Sequence, residues 1–268
     1  MNNKPLLAAY GVTFAYHNDL VLDGLSLELK KGQLGSVLGP NGSGKSTFLK
    51  IISGMYSLKG GHNSGYIYYR GHDFHKYSTS ERAKKVVYVP PDVRVEFPLS
   101  AYEMVLLGRL CQGGGFFKRT TQHDRDLAHW AMEQCCCWGL RERNWSSLSG
   151  GQKQLVVLAR ALTQESKLIL LDEALSKMDL HHQEKIGLLL RKLTKEDYSF
   201  LLVSHDINLS SEWSDFTLIL KEGKKVACGK TSDVLNIETI QKTYPGSSLT
   251  VGKNPVSGMP KVFFGVKH

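Results

Sequence analysis

The stretch from Gly39 to Thr47, "GPNGSGKST", decides how the rest of this sequence is interpreted. It fits the pattern G-x-x-x-x-G-K-[ST], a glycine-rich turn that lies between a strand and a helix. The preceding run "LGSVLG" (34–39) is typical of a buried parallel strand, and "KSTFLKIISGM" (45–55) has helical spacing. The context therefore agrees with the pattern and predicts a phosphate-binding loop.

The residue types in this loop favour binding of a nucleoside triphosphate. Glycines let the backbone curl so that several amide hydrogens point at one anion. Lys45 supplies a positive charge for the β- and γ-phosphates, and the Ser46 hydroxyl can ligate magnesium. We therefore expect Mg²⁺ and a nucleoside triphosphate, which the family resemblance given below implies is ATP. The expected ATP-binding residues in the loop are Gly39, Pro40, Asn41, Gly42, Ser43, Gly44, Lys45, Ser46 and Thr47.

A second apolar strand, "LILLDE" (168–173), ends in two carboxylates. Asp172 at the strand end would lie near the magnesium ion, and Glu173 could polarise the attacking water as a general base. Buried strands often end in acidic residues, so this pattern is weak alone. Beside a phosphate loop, it predicts nucleotide hydrolysis.

Strand and helix patterns alternate through most of the chain, which is typical of a parallel sheet flanked by helices. Residues 98–147 differ, because "SAYEMVLLGR" and "DRDLAHWAMEQCCCWGL" have helical spacing around the glycine-rich loop "QGGGFFKR" (112–119). The tail from Thr231 begins with a short helical pattern and ends in a strand or loop. The sequence therefore predicts an α/β protein with a small helical insertion.

Composition narrows the class of protein. The 268 residues and 41% hydrophobic content suit one large α/β domain. The 34 basic and 25 acidic residues give a charge of +9, which fits a solvated basic surface, a nucleic-acid partner or a place beside an anionic membrane leaflet. No run approaches the roughly 18–20 apolar residues of a membrane span, and the N-terminus lacks a signal core. We expect a cytosolic or peripheral protein.

Five cysteines occur, three of them adjacent at 135–137 within a helical pattern. Neighbours on a helix point in different directions, so they make a poor metal site. We expect reduced thiols.

The heptapeptide "LSGGQKQ" (148–154) opens another helical pattern, whose free amides attract anions. No lysine or magnesium ligand lies beside it in the chain. The order "GPNGSGKST", "LSGGQKQ", "LILLDE", "SHD" resembles the ATP-binding cassette (ABC) family, and "LSGGQKQ" matches the signature motif of that family.

The resemblance implies a fold and a division of the chain. The fold is a P-loop NTPase core with a mixed, mainly parallel sheet, an N-terminal antiparallel β subdomain and an inserted helical subdomain. The whole chain would be one ABC ATPase domain. Its core would span about 1–97 and 148–230, its helical insertion about 98–147, and its C-terminal extension about 231–268.

The resemblance also implies a homodimer, in which the signature of one copy caps the ATP held by the other. Asp179, in "ALSKMD", matches the aspartate of the loop that crosses this interface. The signature residues that would act in trans are Ser149, Gly150, Gly151 and Gln152.

Further family positions carry over one by one. His205, in "LLVSHD", matches the switch histidine that contacts the γ-phosphate, so Glu173 and His205 are the implied catalytic residues. Ser46 and Asp172 are the implied metal ligands. Tyr16, in "FAYHNDLVL", matches the aromatic residue that stacks on adenine, although a simple core aromatic is the alternative.

Two positions depart from the family pattern. Pro91 stands where the family usually carries a glutamine that touches magnesium and links the nucleotide site to the membrane partner. Proline has no side-chain donor or acceptor, so we hypothesise that Asp92 or water takes over the metal contact. Ala174 replaces a usual proline, and we expect that change to be tolerated.

Looser similarities extend over nearly the whole chain. "SAYEMVLLGR" resembles the "ELVxxGR" helix of cassettes that serve iron-siderophore, haem and cobalamin importers, "GGGFFKR" loosely echoes another of their motifs, and the C-terminal ending resembles theirs. The implied protein drives uptake of a metal chelate from the cytoplasmic face of the membrane. Its transmembrane permease subunits would dock near 91–100, and a substrate-binding protein would act only indirectly.

Soluble ABC ATPases, which serve iron–sulfur cluster assembly or associate with DNA, are the alternative. The C-terminal extension and the "EMVLLGR" helix count against both, so no nucleic-acid partner is expected.

Overall fold

The computed structural model describes residues 4–112 and 120–265. The "GGGFFKR" motif (113–119) lies outside the described residues. The strands are β1 (Leu7–Tyr16), β2 (Asp19–Leu29), β3 (Leu34–Leu38), β4 (Ser64–Tyr69), β5 (His72–Asp73), β6 (Val86–Val89), β7 (Leu168–Asp172), β8 (Ser199–Val203), β9 (Phe216–Lys221), β10 (Lys224–Lys230), β11 (Leu249–Lys253) and β12 (Pro260–Phe264). The helices are α1 (Lys45–Ile52), α2 (Thr79–Lys85), α3 (Ala101–Leu106), α4 (Gln122–Gln134), α5 (Gly150–Leu162), α6 (Leu180–Thr194), α7 (Ile207–Trp213), α8 (Thr231–Val234) and α9 (Ile237–Thr243).

A six-stranded sheet of order β10-β9-β3-β8-β7-β6 forms the centre of the protein. Its strands from β9 to β6 run parallel, and β10 pairs antiparallel with β9 at one edge. The inner strands β3, β7 and β8 are buried at every position, as expected when helices or a second sheet cover both faces.

Side chains of β7 alternate between two hydrophobic cores. Leu168 and Leu170 enter the core shared with α1 and with the antiparallel sheet of order β2-β1-β4-β5. Ile169 and Leu171 enter the opposite core, which α5, α6 and the helical segment 98–147 complete. The mainly parallel sheet, the N-terminal antiparallel sheet and the flanking helices confirm the predicted fold class.

The helical segment differs from the sequence prediction at two places. The pattern "SAYEMVLLGR" forms α3 and then a 3₁₀ turn from Leu107 to Gln112. Gly108 lies in this turn, and a Cβ there would approach the Arg160 carbonyl oxygen of α5 to 2.3 Å, so the turn packs too close to α5 for a side chain.

The three adjacent cysteines lie beyond the helix in which we placed them, because α4 ends at Gln134. Cys136 adopts a positive φ of 54°, which a continuing helix does not allow. Cys135 and Cys137 are buried, and Cys136 is exposed. Burial raises the pKa of the Cys135 and Cys137 thiols.

The C-terminal segment folds back onto α7. The side chain of Asn208 donates to the Val262 carbonyl at 3.1 Å and accepts from the Val262 amide at 2.8 Å. The Ser211 hydroxyl also donates to the Pro260 carbonyl at 2.6 Å. These bonds fix β12, and the hairpin that it forms with β11, against the helix that follows His205.

Among residues 4–112 and 120–265, no helix has the length and apolarity to cross a membrane.

A buried ion pair joins the helical segment to the end of α5. Arg109 donates to Asp124 at 2.7 Å and to the Thr163 carbonyl at 2.6 Å, and the two charged side chains are 10% and 6% exposed. Burial alone would raise the pKa of Asp124, but hydrogen bonds from Arg109 and Thr121 hold that pKa well below its usual value of 3.8.

We predict that Asp124→Asn lowers the free energy of unfolding by about 3 kcal/mol at pH 7, because Arg109 loses its buried carboxylate partner and keeps Glu165, whose side chain is 44% exposed. The carboxylate stabilises the fold above the unfolded-state pKa of 3.8, and this contribution is lost as the pH falls below that value. The difference from wild type should therefore shrink below about pH 4. Urea unfolding from pH 3 to 7 measures it. The exposed Asp126, changed to Asn, is the matched control and should have little effect. A difference in unfolding free energy between wild type and Asp124→Asn that did not vary with pH would contradict the stabilising role of the Asp124 carboxylate.

Candidate functional site

The phosphate loop follows β3, and its conformation depends on a glycine at position 39 and on hydrogen bonds from Lys45. Gly39 has a φ of +146°, and a Cβ there would lie 2.1 Å from the Leu220 carbonyl oxygen, so only glycine fits. The Lys45 ammonium donates to the carbonyls of Gly39 and Pro40, each at 2.8 Å. Lys45 is 5% exposed, and burial lowers its pKa although the Glu173 and Asp172 carboxylates act in the opposite direction.

The Asp172 carboxylate ends β7 and is 1% exposed. Its Oδ1 accepts a hydrogen bond from the Ser46 hydroxyl at 2.9 Å, and its Oδ2 accepts one from the Tyr88 hydroxyl at 2.7 Å. Burial, and then the hydrogen bond to Asp172, raise the pKa of Tyr88 well above its ordinary value, so the phenol stays a donor.

The oxygens of Ser46 and Asp172 fit a magnesium ion, which takes few protein ligands and completes its shell with phosphate oxygens and water. In the described part of the chain, no cluster of three or more His, Cys, Asp or Glu side chains is arranged to hold a metal by itself. A magnesium ion here would therefore depend on the nucleotide.

Glu173 and His205 lie side by side at the mouth of the loop. The His205 Nε2 atom is 2.5 Å from Glu173 Oε1, and the side chains are 45% and 26% exposed, respectively. The Glu173 amide donates to the Val203 carbonyl of β8 at 3.0 Å. Glu173 has a φ of +52°, a left-handed conformation that is costly for a residue with a side chain and that occurs often at functional sites.

Lys45, Ser46, Glu173 and His205 line one cavity of about 500 Å³, whereas Asp172, which is hydrogen-bonded to Ser46, is not among the lining residues. The lining of this cavity comes from β2, the phosphate loop, α1 and the ends of β7 and β8. The lining residues are Val21, Asn41, Gly42, Gly44, Lys45, Ser46, Thr47, Glu173 and His205. An open cavity that combines a buried lysine with a carboxylate and an imidazole can bind a phosphate chain and polarise a water beside it.

Other predicted ATP-binding residues are not among those that line this cavity. Ser43 is 2% exposed, and its hydroxyl has no hydrogen-bond partner among the described residues. Tyr16 ends β1, and its hydroxyl is 3.3 Å from Thr47 Oγ1. The Tyr16 ring packs edge-on against Phe14 and Tyr56 and is 36% exposed, so part of it is free to meet a ligand.

The signature residues line a different cavity, also of about 500 Å³. Ser149 caps α5, because its hydroxyl accepts from the Gln152 amide at 3.3 Å while the Gln152 side chain accepts from the Ser149 amide at 3.1 Å. Gly150, Gly151 and Asp179 also line this cavity. No lining residue is shared with the phosphate-loop cavity, so the described chain does not bring the two groups together.

Asp179 caps α6, because its carboxylate accepts from the His182 amide at 2.9 Å. The same carboxylate lies 2.9 Å from His182 Nδ1. The hydrogen bond from the His182 amide, followed by that from its ring, lowers the pKa of Asp179.

The structure does not support Asp92 as the residue that replaces the missing glutamine. The Asp92 carboxylate forms an ion pair with Lys177, in the loop after Glu173, and does not line the phosphate-loop cavity. Pro91 and Asp92 instead line a small cavity against α5, together with Ala174.

Three contacts around the site were not predicted from the sequence: Tyr88 with Asp172, Lys177 with Asp92, and Gln154 of α5 with the loop after β7. The Gln154 amide group donates to the Glu173 carbonyl at 3.3 Å and accepts from the Lys177 amide at 3.0 Å. The alternation of side chains along β6 indicates which residues share a face with Tyr88. The register of β6 against β7, which brings Tyr88 to Asp172, depends on the tertiary structure.

Comparisons of the sequence identify relatives over most of the chain. A family profile described as "ABC transporter" matches residues 22–176. The manganese transport system ATP-binding protein MntB of Bacillus subtilis (strain 168) is 36% identical over 247 residues, 91% of this chain and 94% of the relative. The iron(3+)-hydroxamate import ATP-binding protein FhuC of the same organism is 34% identical and covers 85% and 84%. The hemin import ATP-binding protein HmuV of Escherichia coli O157:H7 is 31% identical and covers 96% and 98%.

Solved structures agree in fold. A metal-chelate type ABC transporter in an inward-facing conformation superposes with a TM-score of 0.81 at 27% identity, covering 97% of both chains. The dimeric post-hydrolysis state of an ATP-binding cassette with ADP and Pi superposes with a TM-score of 0.73 at 27% identity, covering 84% of this chain and 98% of that one.

We predict that Lys45→Met weakens ATP binding at least about tenfold, because a charge-assisted contact to phosphate is removed. Titration with a fluorescent ATP analogue measures the affinity. Lys50→Met is the matched control, since Lys50 lies on the same helix with its ammonium 5.9 Å from the Tyr56 ring and does not line the cavity. Equal losses in both variants would show that general positive charge, rather than the Lys45 position, determines binding.

Proposed function

This chain belongs to the ABC transporter family as an ATP-hydrolysing subunit, and we propose that it drives an importer for a metal ion or metal chelate. One observation carries the catalytic part: Glu173 and His205 meet beside Lys45 in one cavity, while the signature lines another. The import part rests on the named relatives, which match almost the whole chain and serve manganese, iron(3+)-hydroxamate or hemin transport.

In the proposed reaction the phosphate loop binds the nucleotide. Lys45 balances the charge of the β- and γ-phosphates, and Ser46 with Asp172 would hold the magnesium ion, which neutralises charge on those phosphates. Glu173 orients and polarises the attacking water, with its Oε1 atom 2.5 Å from His205 Nε2. His205 would contact the γ-phosphate as the water attacks. The Tyr16 ring would face the adenine.

We propose that two copies are needed for turnover. Because Ser149, Gly150 and Gly151 line a cavity of their own, they are free to meet a γ-phosphate held by another copy. The start of α5 has unpaired amides that favour an anion. Asp179, which lines the same cavity, would lie at the interface between the two copies. ATP would then bridge the copies, and its hydrolysis would remove the bridge.

Membrane permease subunits are the proposed partners of the pair, with a substrate-binding protein acting only through them. Their docking surface would be the segment from Pro91 to Ser100, where Phe97 is 76% exposed. Docking there would place the chain on the cytoplasmic face of the membrane. The charge of +9 is compatible with an anionic lipid surface nearby.

Glu173→Gln tests the catalytic assignment. Loss of the carboxylate should slow ATP hydrolysis at least about a hundredfold while ATP binding is kept. With ATP and magnesium the variant should accumulate as a dimer in analytical ultracentrifugation. The exposed Glu196, changed to Gln, is the matched control and should hydrolyse ATP at the wild-type rate.

Ser149→Arg on the Glu173→Gln background tests the composite site. The added side chain should block the dimer yet leave ATP binding to the single chain unchanged, because Ser149 does not line the phosphate-loop cavity. A dimer that survived this change would contradict the proposed sandwich.

Isolation of the tagged chain from its native cells tests the importer proposal. We expect it to co-purify with a polytopic permease, and we expect a metal chelate presented by its binding protein to stimulate ATP hydrolysis of that complex. Recovery with soluble partners, or salt-sensitive binding to DNA, would contradict the proposal.

A further inference from the structure

The carboxylate of Asp172 is held from two sides by hydroxyl groups of a helix and of a neighbouring strand. Ser46 donates to Oδ1 from the start of α1, and Tyr88 donates to Oδ2 from β6. Within residues 4–112 and 120–265, these are the two hydrogen bonds made by the side chain of Asp172. Because the last torsion of an aspartate is broad, a lone carboxylate at a strand end is free to rotate. Two donors on opposite oxygens fix its plane.

The hydrogen bonds that Ser46 and Tyr88 donate to Asp172 would respond differently to nucleotide binding. In the proposed site Ser46 is itself a magnesium ligand, so its hydroxyl would turn from Asp172 toward the ion. Tyr88 lies on the far side, at Oδ2, and is not among the residues that line the phosphate-loop cavity. Its hydrogen bond can therefore persist through binding and keep Oδ1 directed at the position of Ser46, which lines the cavity.

Sheet geometry explains why Tyr88 reaches this carboxylate. Strands β6 and β7 are parallel neighbours, with Tyr88 opposite Leu170. Asp172 lies two residues beyond Leu170, and side chains in a strand alternate, so Tyr88 and Asp172 share one face of the sheet. The face is the one toward α1, because Val86 and Leu170 both enter the core that includes α1.

Tyr88 also lies three residues before Pro91, on the strand that leads into the proposed docking segment. Pro91 has no side-chain donor or acceptor, and Asp92 is engaged with Lys177. The proposed docking segment is thus joined to the Asp172 carboxylate through β6 and the Tyr88 hydroxyl.

We propose that Tyr88 is a positioning residue, which holds Asp172 for magnesium–ATP and provides the link between docking segment and metal site that glutamine would supply at position 91. This inference rests on the proposed metal role of Asp172. Tyr88 acts through Asp172 and does not contact the nucleotide.

Tyr88→Phe removes one oxygen and keeps the ring. On the Glu173→Gln background, where hydrolysis is blocked, ATP binding is titrated in magnesium and in EDTA. We expect the affinity for magnesium–ATP to fall on the order of tenfold, as for loss of a hydrogen bond to a charged group, with the EDTA value unchanged. Binding of Mn²⁺ with ATP, followed by electron paramagnetic resonance, should weaken by a similar factor. Tyr102→Phe is the matched control, since Tyr102 packs against Trp138 in the helical segment and should change neither value.

Asp172→Asn separates the two proposals. If it weakens magnesium–ATP binding selectively and Tyr88→Phe does not, the inference on Tyr88 is wrong while the proposed function stands. If Asp172→Asn has no magnesium-specific effect, the metal role of Asp172 is itself wrong. An equal loss in magnesium and EDTA for Tyr88→Phe would mean a merely structural tyrosine and would overturn the inference.

Pro91→Gln, added to Tyr88→Phe, tests the replacement of glutamine. The double variant should recover magnesium-dependent affinity, because the glutamine supplies a second polar contact to the same site. Absence of recovery would overturn the claim that Tyr88 takes over the part of the glutamine.

Discussion

The parallel ladder of β3, β8 and β7 is the constraint on which the nucleotide site depends. Parallel strands end at the same edge of a sheet, so the loops that follow them meet there. Lys45 begins α1 directly after the loop that follows β3, Asp172 and Glu173 come from the end of β7, and His205 follows β8. The bond from the Glu173 amide to Val203 extends the ladder by one step, which brings Glu173 within reach of His205.

The same architecture separates the two halves of the proposed catalytic site. The phosphate loop and the signature line cavities without a common residue, so one copy offers each half to a different surface. They are still mechanically connected within the chain, because Gln154 of α5 bonds to the backbone of Glu173 and Lys177. A shift of α5, which begins with the signature residues, would therefore move the loop that carries Glu173.

In the proposed docking segment, where Pro91 stands in place of a glutamine, other contacts join the chain to the candidate site. The Asp92–Lys177 pair joins it to the loop that leads to Asp179, but both partners are partly exposed, and such pairs contribute little to stability. The Tyr88–Asp172 hydrogen bond is better shielded and involves a charged acceptor, so it is the stronger of the two contacts. A motif residue can thus be absent while its neighbours keep the same two regions in contact.

The sequence by itself determined the α/β class, the phosphate loop, the acidic strand end and the signature, because each depends on residue types at short, fixed spacing. It also identified the family, which the comparisons confirm. The end of α4 before Cys135 and the pairing of Asp92 with Lys177 were not predicted. Only the tertiary structure decided these features and the contact of Tyr88 with Asp172, because strand register and loop packing join residues that are far apart in the chain.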